Sequence, residues 1–239
     1  MVKSELVQRS PIRIFEQSIH GGLKAGEIGI IASPNGVGKT SVLVQLALDK
    51  LLQGKKVIHV SFTQHTQYVP VWYEDIFAEI INKKNLENAA EVKNDIVKNR
   101  VLMNFSQDGV TIGQIIKSLR AMIIDGGFKA DSIIIDGFDF GRTDKESISC
   151  VKTFAAELGV CIWYSCSVKD EPSSKQYDKE NIPLVINDFS GFIDVVIVLF
   201  PKSDHVELSI SKDRGSAISK SMAMKLDPKT LLILGGGNV

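Results

Sequence analysis

The chain has 239 residues, of which 44% are hydrophobic and 23% charged, which suits one large α/β domain with a sizeable core. Its 28 basic side chains balance its 28 acidic ones, which argues against a protein whose main work is to hold nucleic acid. Residues 1–10 are too polar for a signal peptide and no run reaches the ~18 apolar residues of a membrane span, so we expect a cytoplasmic protein without a membrane partner.

Short β-branched runs alternate with amphipathic stretches along most of the chain. The runs predict strands at residues 27–32, 56–62, 100–105, 132–136 and 160–165. Apolar residues at helical spacing predict helices at residues 39–53, 69–82, 86–98, 111–125 and 145–158. Such alternation indicates βαβ crossovers, and therefore an α/β fold with a mainly parallel, twisted sheet covered by helices on both faces.

The last part of the chain has a different pattern. Runs at residues 194–200, 206–212, 220–226 and 230–234 are joined by short links without helices. They predict antiparallel hairpin strands added to one edge of the sheet. No repeat or linker divides the sequence, so we predict a single domain over residues 1–239, with an ordered core at 10–234 and a flexible glycine-rich tail at 235–239.

A glycine-rich phosphate loop lies between the first predicted strand and the first predicted helix. It consists of Ser33, Pro34, Asn35, Gly36, Val37, Gly38, Lys39 and Thr40, followed by Ser41 in the helix. The glycines let consecutive N–H groups face phosphate oxygens, and the helix N-terminus adds its positive end. Lys39 is expected to reach the β- and γ-phosphates and Thr40 to bind Mg²⁺. Ser33 stands where the usual pattern starts with Gly. This segment predicts binding of a nucleoside triphosphate with Mg²⁺.

A second acidic group is predicted at the same edge of the sheet. The run at residues 132–136 is apolar and ends in Asp136. A buried parallel strand delivers its last residue to the carboxyl edge, where ligands bind. Asp136 is therefore predicted to hold Mg²⁺ through a water, opposite Thr40; a plain turn at Gly137 is the alternative. Asp139 is interpreted as a cap or surface residue.

These motifs resemble the RecA-like P-loop ATPases, in particular the branch with KaiC and the DnaB-type replicative helicases. The resemblance starts at the lead-in at residues 21–27, continues through the phosphate loop and Asp136, and reaches the terminal hairpins. It implies a RecA-like P-loop domain over nearly the whole chain, with ATP and Mg²⁺ as cofactors. In this family a Lys-x-Arg pair acts as a finger on the γ-phosphate held by a neighbouring subunit. Lys212 and Arg214 match that pair, and the alternative is a solvated hairpin.

The finger implies that the active unit is a homo-oligomer, commonly a hexameric ring in this family. In a strand, Lys212 and Arg214 would point to the same face. Two cations there would stabilise charge that develops in the transition state.

The position of the water-orienting group departs from the family pattern. Relatives place a Glu after the second strand, whereas this chain has Thr63 and then Gln64. Gln64 can orient water but cannot accept a proton as a carboxylate does; His65 and Glu74 are further candidates. We therefore expect slow hydrolysis or binding without turnover. Ser165, near the end of the fifth strand, either senses the γ-phosphate or merely ends the strand.

Three functions remain compatible with the sequence. The first is an oligomeric ATPase, the second a regulatory module that senses ATP and signals to an unknown protein partner, and the third a DNA-binding accessory of recombination or helicase action. The loop at residues 168–188 is slightly acidic and offers no groove for DNA.

The aromatic residues of the second predicted helix (Trp72, Tyr73 and Phe77) are either core or a subunit contact. The three cysteines are interpreted as buried reduced thiols.

Overall fold

A nine-stranded sheet organises the chain in the computed structural model, which describes residues 2–62, 67–169 and 176–235. The strands are β1 (Ile28–Ser33), β2 (Val57–Ser61), β3 (Arg100–Asn104), β4 (Ser132–Asp136), β5 (Cys161–Ser167), β6 (Val195–Pro201), β7 (Val206–Asp213), β8 (Ser216–Leu226) and β9 (Ile233–Gly235). Their order across the sheet is β3-β2-β4-β5-β1-β6-β7-β8-β9. The first six strands are mutually parallel, and β7, β8 and β9 follow as antiparallel neighbours. The predicted α/β class with terminal antiparallel strands is confirmed.

Helices cover both faces of this sheet. They are α1 (Lys3–Gln8), α2 (Pro11–Ser18), α3 (Lys39–Leu52), α4 (Tyr68–Lys84), α5 (Ala89–Lys98), α6 (Ile112–Arg120) and α7 (Lys145–Leu158). A single π-helical turn (Ala121–Asp125) extends α6, and 3₁₀ turns lie at Phe140–Arg142 and Leu184–Phe192. No described helix combines the length and apolar character needed to span a membrane.

The apolar core lies on the two faces of the sheet. One cluster joins α1 to α5 with inward residues such as Ile31 and Ile134. The other joins α6, α7 and the Leu184–Phe192 turn with residues such as Ile30 and Ile133. Alternation along β5 places Cys161 and Cys166 on opposite faces. Both thiols are buried, but Cys150 is exposed, so the prediction of three buried thiols is wrong at that position.

The first two helices were not predicted from the sequence. Ser10 caps α2 by accepting a hydrogen bond from the Ile12 N–H (3.2 Å), and Pro11 occupies its first turn, where a missing N–H costs nothing. Leu6 and Phe15 are buried against the main cluster. The ordered structure therefore begins before residue 10, in contrast to the predicted core.

Candidate functional site

The backbone of the phosphate loop curls at the carboxyl end of β1 and leads directly into α3. Gly36 and Gly38 both have positive φ angles, of 79° and 114°, and Gly38 caps the helix in the left-handed conformation. A side chain at Gly38 would also overlap the Cδ2 atom of Leu226 in β8. Both glycines are used where L-residues are strained, and the N-terminal N–H groups of α3 lie beside the curled loop.

Lys39 carries a buried ammonium that faces only neutral oxygens. Its side chain donates to the carbonyl oxygens of Ser33 (3.0 Å) and Pro34 (2.8 Å), and more weakly to the Ser33 hydroxyl (3.4 Å), while the residue is only 8% exposed. Burial lowers the pKa of Lys39, and the neighbouring Cys166 and Asp136 offset only part of this effect. Among the described residues no anionic group hydrogen-bonds to this ammonium, and Asp136 compensates its charge only in part, so an anion placed at the loop would stabilise it.

Thr40 and Asp136 meet at the carboxyl edge, as the sequence predicted that they would lie opposite each other. The Thr40 hydroxyl donates to Asp136 Oδ2 at 2.8 Å, and Asp136 is 5% exposed. The described residues contain no group of three His, Cys, Asp or Glu side chains that could hold a metal ion by themselves. A hydroxyl and one carboxylate fit Mg²⁺, which keeps several waters and takes phosphate oxygens as further ligands.

The turn after β4 is held by Ser165 and Asp139. The Gly137 N–H donates to the Ser165 hydroxyl at 2.7 Å, and Ser165 is buried. β5 continues to Ser167, so Ser165 does not end the strand. Asp139 Oδ1 accepts a hydrogen bond from the Gly141 N–H (2.9 Å), which makes it the cap of the Phe140–Arg142 turn, as interpreted. A sensing role for Ser165 stays a prediction.

The last turn of the chain is hydrogen-bonded to the start of α3, a contact that sequence reasoning missed. The Leu231 carbonyl accepts from the Ser41 hydroxyl (2.5 Å) and from Gln45 Nε2 (2.9 Å). Gln45 Oε1 in turn accepts from the Ile233 N–H at 2.8 Å. A backbone carbonyl leaves no signature in a sequence, so only the buried Gln45 within an otherwise apolar helix hinted at this link.

Arg214 does not share a strand face with Lys212, which corrects the prediction from alternation. β7 ends at Asp213, and Arg214 lies in the following turn with φ of 46°. Its guanidinium forms two hydrogen bonds to Glu27 (2.8 and 2.9 Å) and donates to the Ile19 carbonyl (2.8 Å). These bonds raise the pKa of Arg214 and tie the turn to the segment before β1.

The predicted finger residues lie at the edge of the sheet opposite the phosphate loop. Asp213 pairs with Val195 at the start of β6, whereas the loop follows the end of the neighbouring β1. The Lys212 side chain is half-buried and donates to the Ser190 carbonyl, and burial lowers its pKa. Lys212 is level with Ile30 and Asp213 with Gly29, both two strands away from β1. About 10 Å across the sheet and about 10 Å along β1 therefore separate Lys212 from the loop, so neither finger side chain touches phosphates bound in its own chain.

The segment after β2, with Thr63, Gln64 and His65, lies outside the described residues. Glu74 is described: it lies on α4 and pairs with Lys93 of α5 (3.2 Å). On the same helix, Tyr73 and Phe77 are buried core residues, and Trp72 packs partly buried against the same cluster. The core interpretation of these aromatic side chains is therefore confirmed for Tyr73 and Phe77.

Comparison with known proteins gives no assignment for this chain. No protein-family model matches it, and no curated protein has significant sequence similarity to it.

Proposed function

We propose that this chain binds Mg²⁺-ATP at the phosphate loop and belongs to the RecA-like ATPases, acting as a slow, oligomerisation-dependent ATPase. One observation carries the proposal. The buried Lys39 ammonium contacts only neutral oxygens, at the N-terminus of α3 and beside two glycines with positive φ. Fixed N–H groups and a cation whose charge is only partly compensated together favour a polyphosphate.

Nucleotide binding requires Lys39 to exchange its partners. The side chain now donates to the Ser33 and Pro34 carbonyls, and it would turn from these to phosphate oxygens. This exchange replaces neutral acceptors by charged ones, so the ammonium gains a Coulomb attraction that the carbonyl oxygens do not provide. The loop glycines supply N–H groups to the same oxygens without a side chain in the way.

Mg²⁺ would be held between Thr40 and Asp136. The 2.8 Å bond between their oxygens would open to admit the ion, with Asp136 acting directly or through a water. The ion would neutralise charge on the β- and γ-phosphates. Bound ATP and Mg²⁺ would thus join α3 to the end of β4.

The oligomeric part of the proposal rests on Lys212 and Arg214. Both lie at the edge opposite the phosphate loop, so a role at a γ-phosphate is open to them only in a neighbouring subunit of a ring or filament. Arg214 would first have to leave Glu27. A finger of this kind would make hydrolysis depend on assembly.

A second candidate is a module that binds ATP and signals to a protein partner with little hydrolysis. Among the described residues, Asp136 is the one carboxylate that hydrogen-bonds to residues 33–41, and Glu74 is paired with Lys93. A missing base could lower the rate by orders of magnitude, since each ~1.4 kcal/mol of barrier is about tenfold. The DNA-binding alternative gains no support, because residues 176–188 carry more acidic than basic side chains.

Calorimetric titration with ATP and Mg²⁺ tests the binding site. We expect one site per chain that Lys39→Ala removes. Lys55→Ala is the matched control, because Lys55 is exposed and lies after α3, away from the loop. Unchanged ATP binding by Lys39→Ala would overturn the proposed site.

Phosphate release measured across protein concentrations separates the two candidates. Turnover per chain that rises with concentration supports the oligomeric ATPase. Tight ATP binding without turnover at any concentration contradicts the ATPase and supports the sensing module.

A further inference from the structure

A large cavity lies on the α3 side of the sheet, away from the phosphate loop. Its volume is about 650 Å³, which is within the range of small-molecule sites. Its apolar walls come from four parts of the chain: Leu6 of α1, Leu48 and Leu52 of α3, Ile80 of α4, and Met224 and Ile233 of the β8–β9 hairpin.

Two half-buried cations line the same cavity. Lys84 of α4 and Lys225 of β8 contribute to its lining. Lys225 lies directly opposite Glu207 across β7 and β8 and helps to lower the pKa of Asp204, so it has acidic neighbours. Lys83 is exposed and lies near Asp227, whose pKa it helps to lower. Among the described residues Lys84 has no such acidic neighbour, so it leaves positive charge beside an apolar interior.

The α3 wall also contains a buried polar atom without a partner. Asp49 is 2% exposed, and its Oδ2 accepts hydrogen bonds from Arg13 and from Gln53 (2.6 Å). Its Oδ1 has no hydrogen-bond partner among the described residues. Burying an acceptor without a donor is costly, so an N–H or O–H group from a bound molecule would stabilise this wall.

We propose that this cavity is a binding site for a small apolar molecule with an anionic head group. The apolar body packs between Leu48, Leu52 and Ile80, and the anion meets Lys84. A hydrogen-bond donor on the body is directed to Asp49. Neither the phosphate loop nor the predicted finger uses these residues.

The cavity is linked to the phosphate loop through Gln45, and this link rests on the proposed function. Gln45 lines the cavity and bonds both Leu231 and Ile233, while Leu231 also accepts from Ser41 in the first turn of α3. A ligand that shifts residues 231–235 would therefore alter the start of α3. Occupation of the cavity should change the ATP affinity severalfold.

Fluorescence titration with two matched dyes tests the site on the intact chain. Anilinonaphthalene sulfonate carries an apolar ring system, an N–H group and an anion, whereas N-phenylnaphthylamine lacks only the anion. We expect one saturable site for the sulfonate, with an affinity at least about tenfold higher than for the neutral dye, as a charge-assisted contact provides. Equal affinities, or binding that does not saturate, would overturn the proposal.

Two variants locate the binding. Lys84→Gln should weaken sulfonate binding about tenfold and leave the neutral dye unaffected. Lys117→Gln, an exposed lysine of α6 on the other face, is the matched control and should change neither. An equal loss in the control would refute the site.

Lys39→Ala separates this site from the nucleotide site. Sulfonate binding should persist in that variant, whether or not the chain binds ATP. Loss of sulfonate binding in Lys39→Ala would assign the dye to the phosphate loop and overturn the proposal. Unchanged ATP affinity at saturating dye would refute the link through Gln45.

Discussion

The protonation of His59 should make the free energy of unfolding depend on pH in a defined window. His59 is fully buried in β2, and its Nδ1 lies 3.1 Å from the hydroxyl of Tyr73 on α4. Its Nε2 has no hydrogen-bond partner among the described residues. Burial lowers the pKa of His59 from 6.5 to about 4, even though Asp136 acts to raise it, and Arg100 lowers it further.

The sign and size of the effect follow from these two pKa values. Between about pH 6.5 and pH 4 the unfolded chain binds a proton at this position that the folded chain does not bind, so acid favours unfolding. The contribution of neutral His59 to the free energy of unfolding is fully present above the pKa of the unfolded state. It is lost as the pH falls towards the pKa of the folded state. At ~1.4 kcal/mol per unit the full loss is about 3 kcal/mol, of which about 2 kcal/mol falls between pH 7 and pH 5.

Urea unfolding at pH 7 and pH 5 measures this contribution. A His59→Phe variant removes the titrating group, and Tyr73→Phe in the same chain avoids leaving the Tyr73 hydroxyl without a partner. The double variant should lose about 2 kcal/mol less than the parent chain over this interval. Equal losses in both chains would refute the reasoning, because the pH dependence would then come from other groups.

Three further changes test other parts of the structure. Gly38→Ala should abolish ATP binding and lower stability, because its Cβ overlaps Leu226 at a positive φ, whereas Gly36→Ala meets open space and should cost only about 1–2 kcal/mol in a thermal melt. Asp136→Asn keeps an acceptor for the threonine hydroxyl, so we expect an unchanged melt but a loss of about tenfold or more in the Mg²⁺ dependence of ATP binding; a calorimetric titration that shows the parent's dependence would contradict the metal site. Arg214→Ala leaves a partly buried carboxylate without its partner and should destabilise the fold by roughly 2–3 kcal/mol; a variant that unfolds like the parent but no longer turns over ATP would show instead that Arg214 acts mainly as a finger.

The geometry of the phosphate loop could be predicted from the sequence because its determinants are local. Strand β1, the two glycines and the first residues of α3 are contiguous, so the run from Ser33 to Thr40 specifies its own geometry. Asp136 required one further rule, that parallel strands deliver their last residues to a common edge. The Thr40–Asp136 contact followed from these two patterns.

Features that depend on tertiary geometry could not be predicted. Alternation placed Arg214 beside Lys212, but the turn at Gly215 ends β7 first and rotates the arginine towards Glu27. The Ser10–Pro11 helix start was present in the sequence, yet α1 and α2 are too short to produce a strong periodic pattern. The cavity depends on how far the terminal hairpin curls over α3, which no local pattern encodes.

The pairing of β1 has a consequence for how this protein is made. Gly29 in β1 pairs with Trp163 in β5 and with Val195 in β6. Both partners are synthesised, and leave the ribosome, long after Gly29. The phosphate loop therefore remains without its flanking strands until β5 and β6 have been synthesised. Pairings so distant in sequence form slowly, and the apolar first strand stays exposed in the meantime. A nascent chain that stops before Leu231 would also lack the carbonyl oxygen that accepts the hydrogen bond of Ser41 at the start of α3.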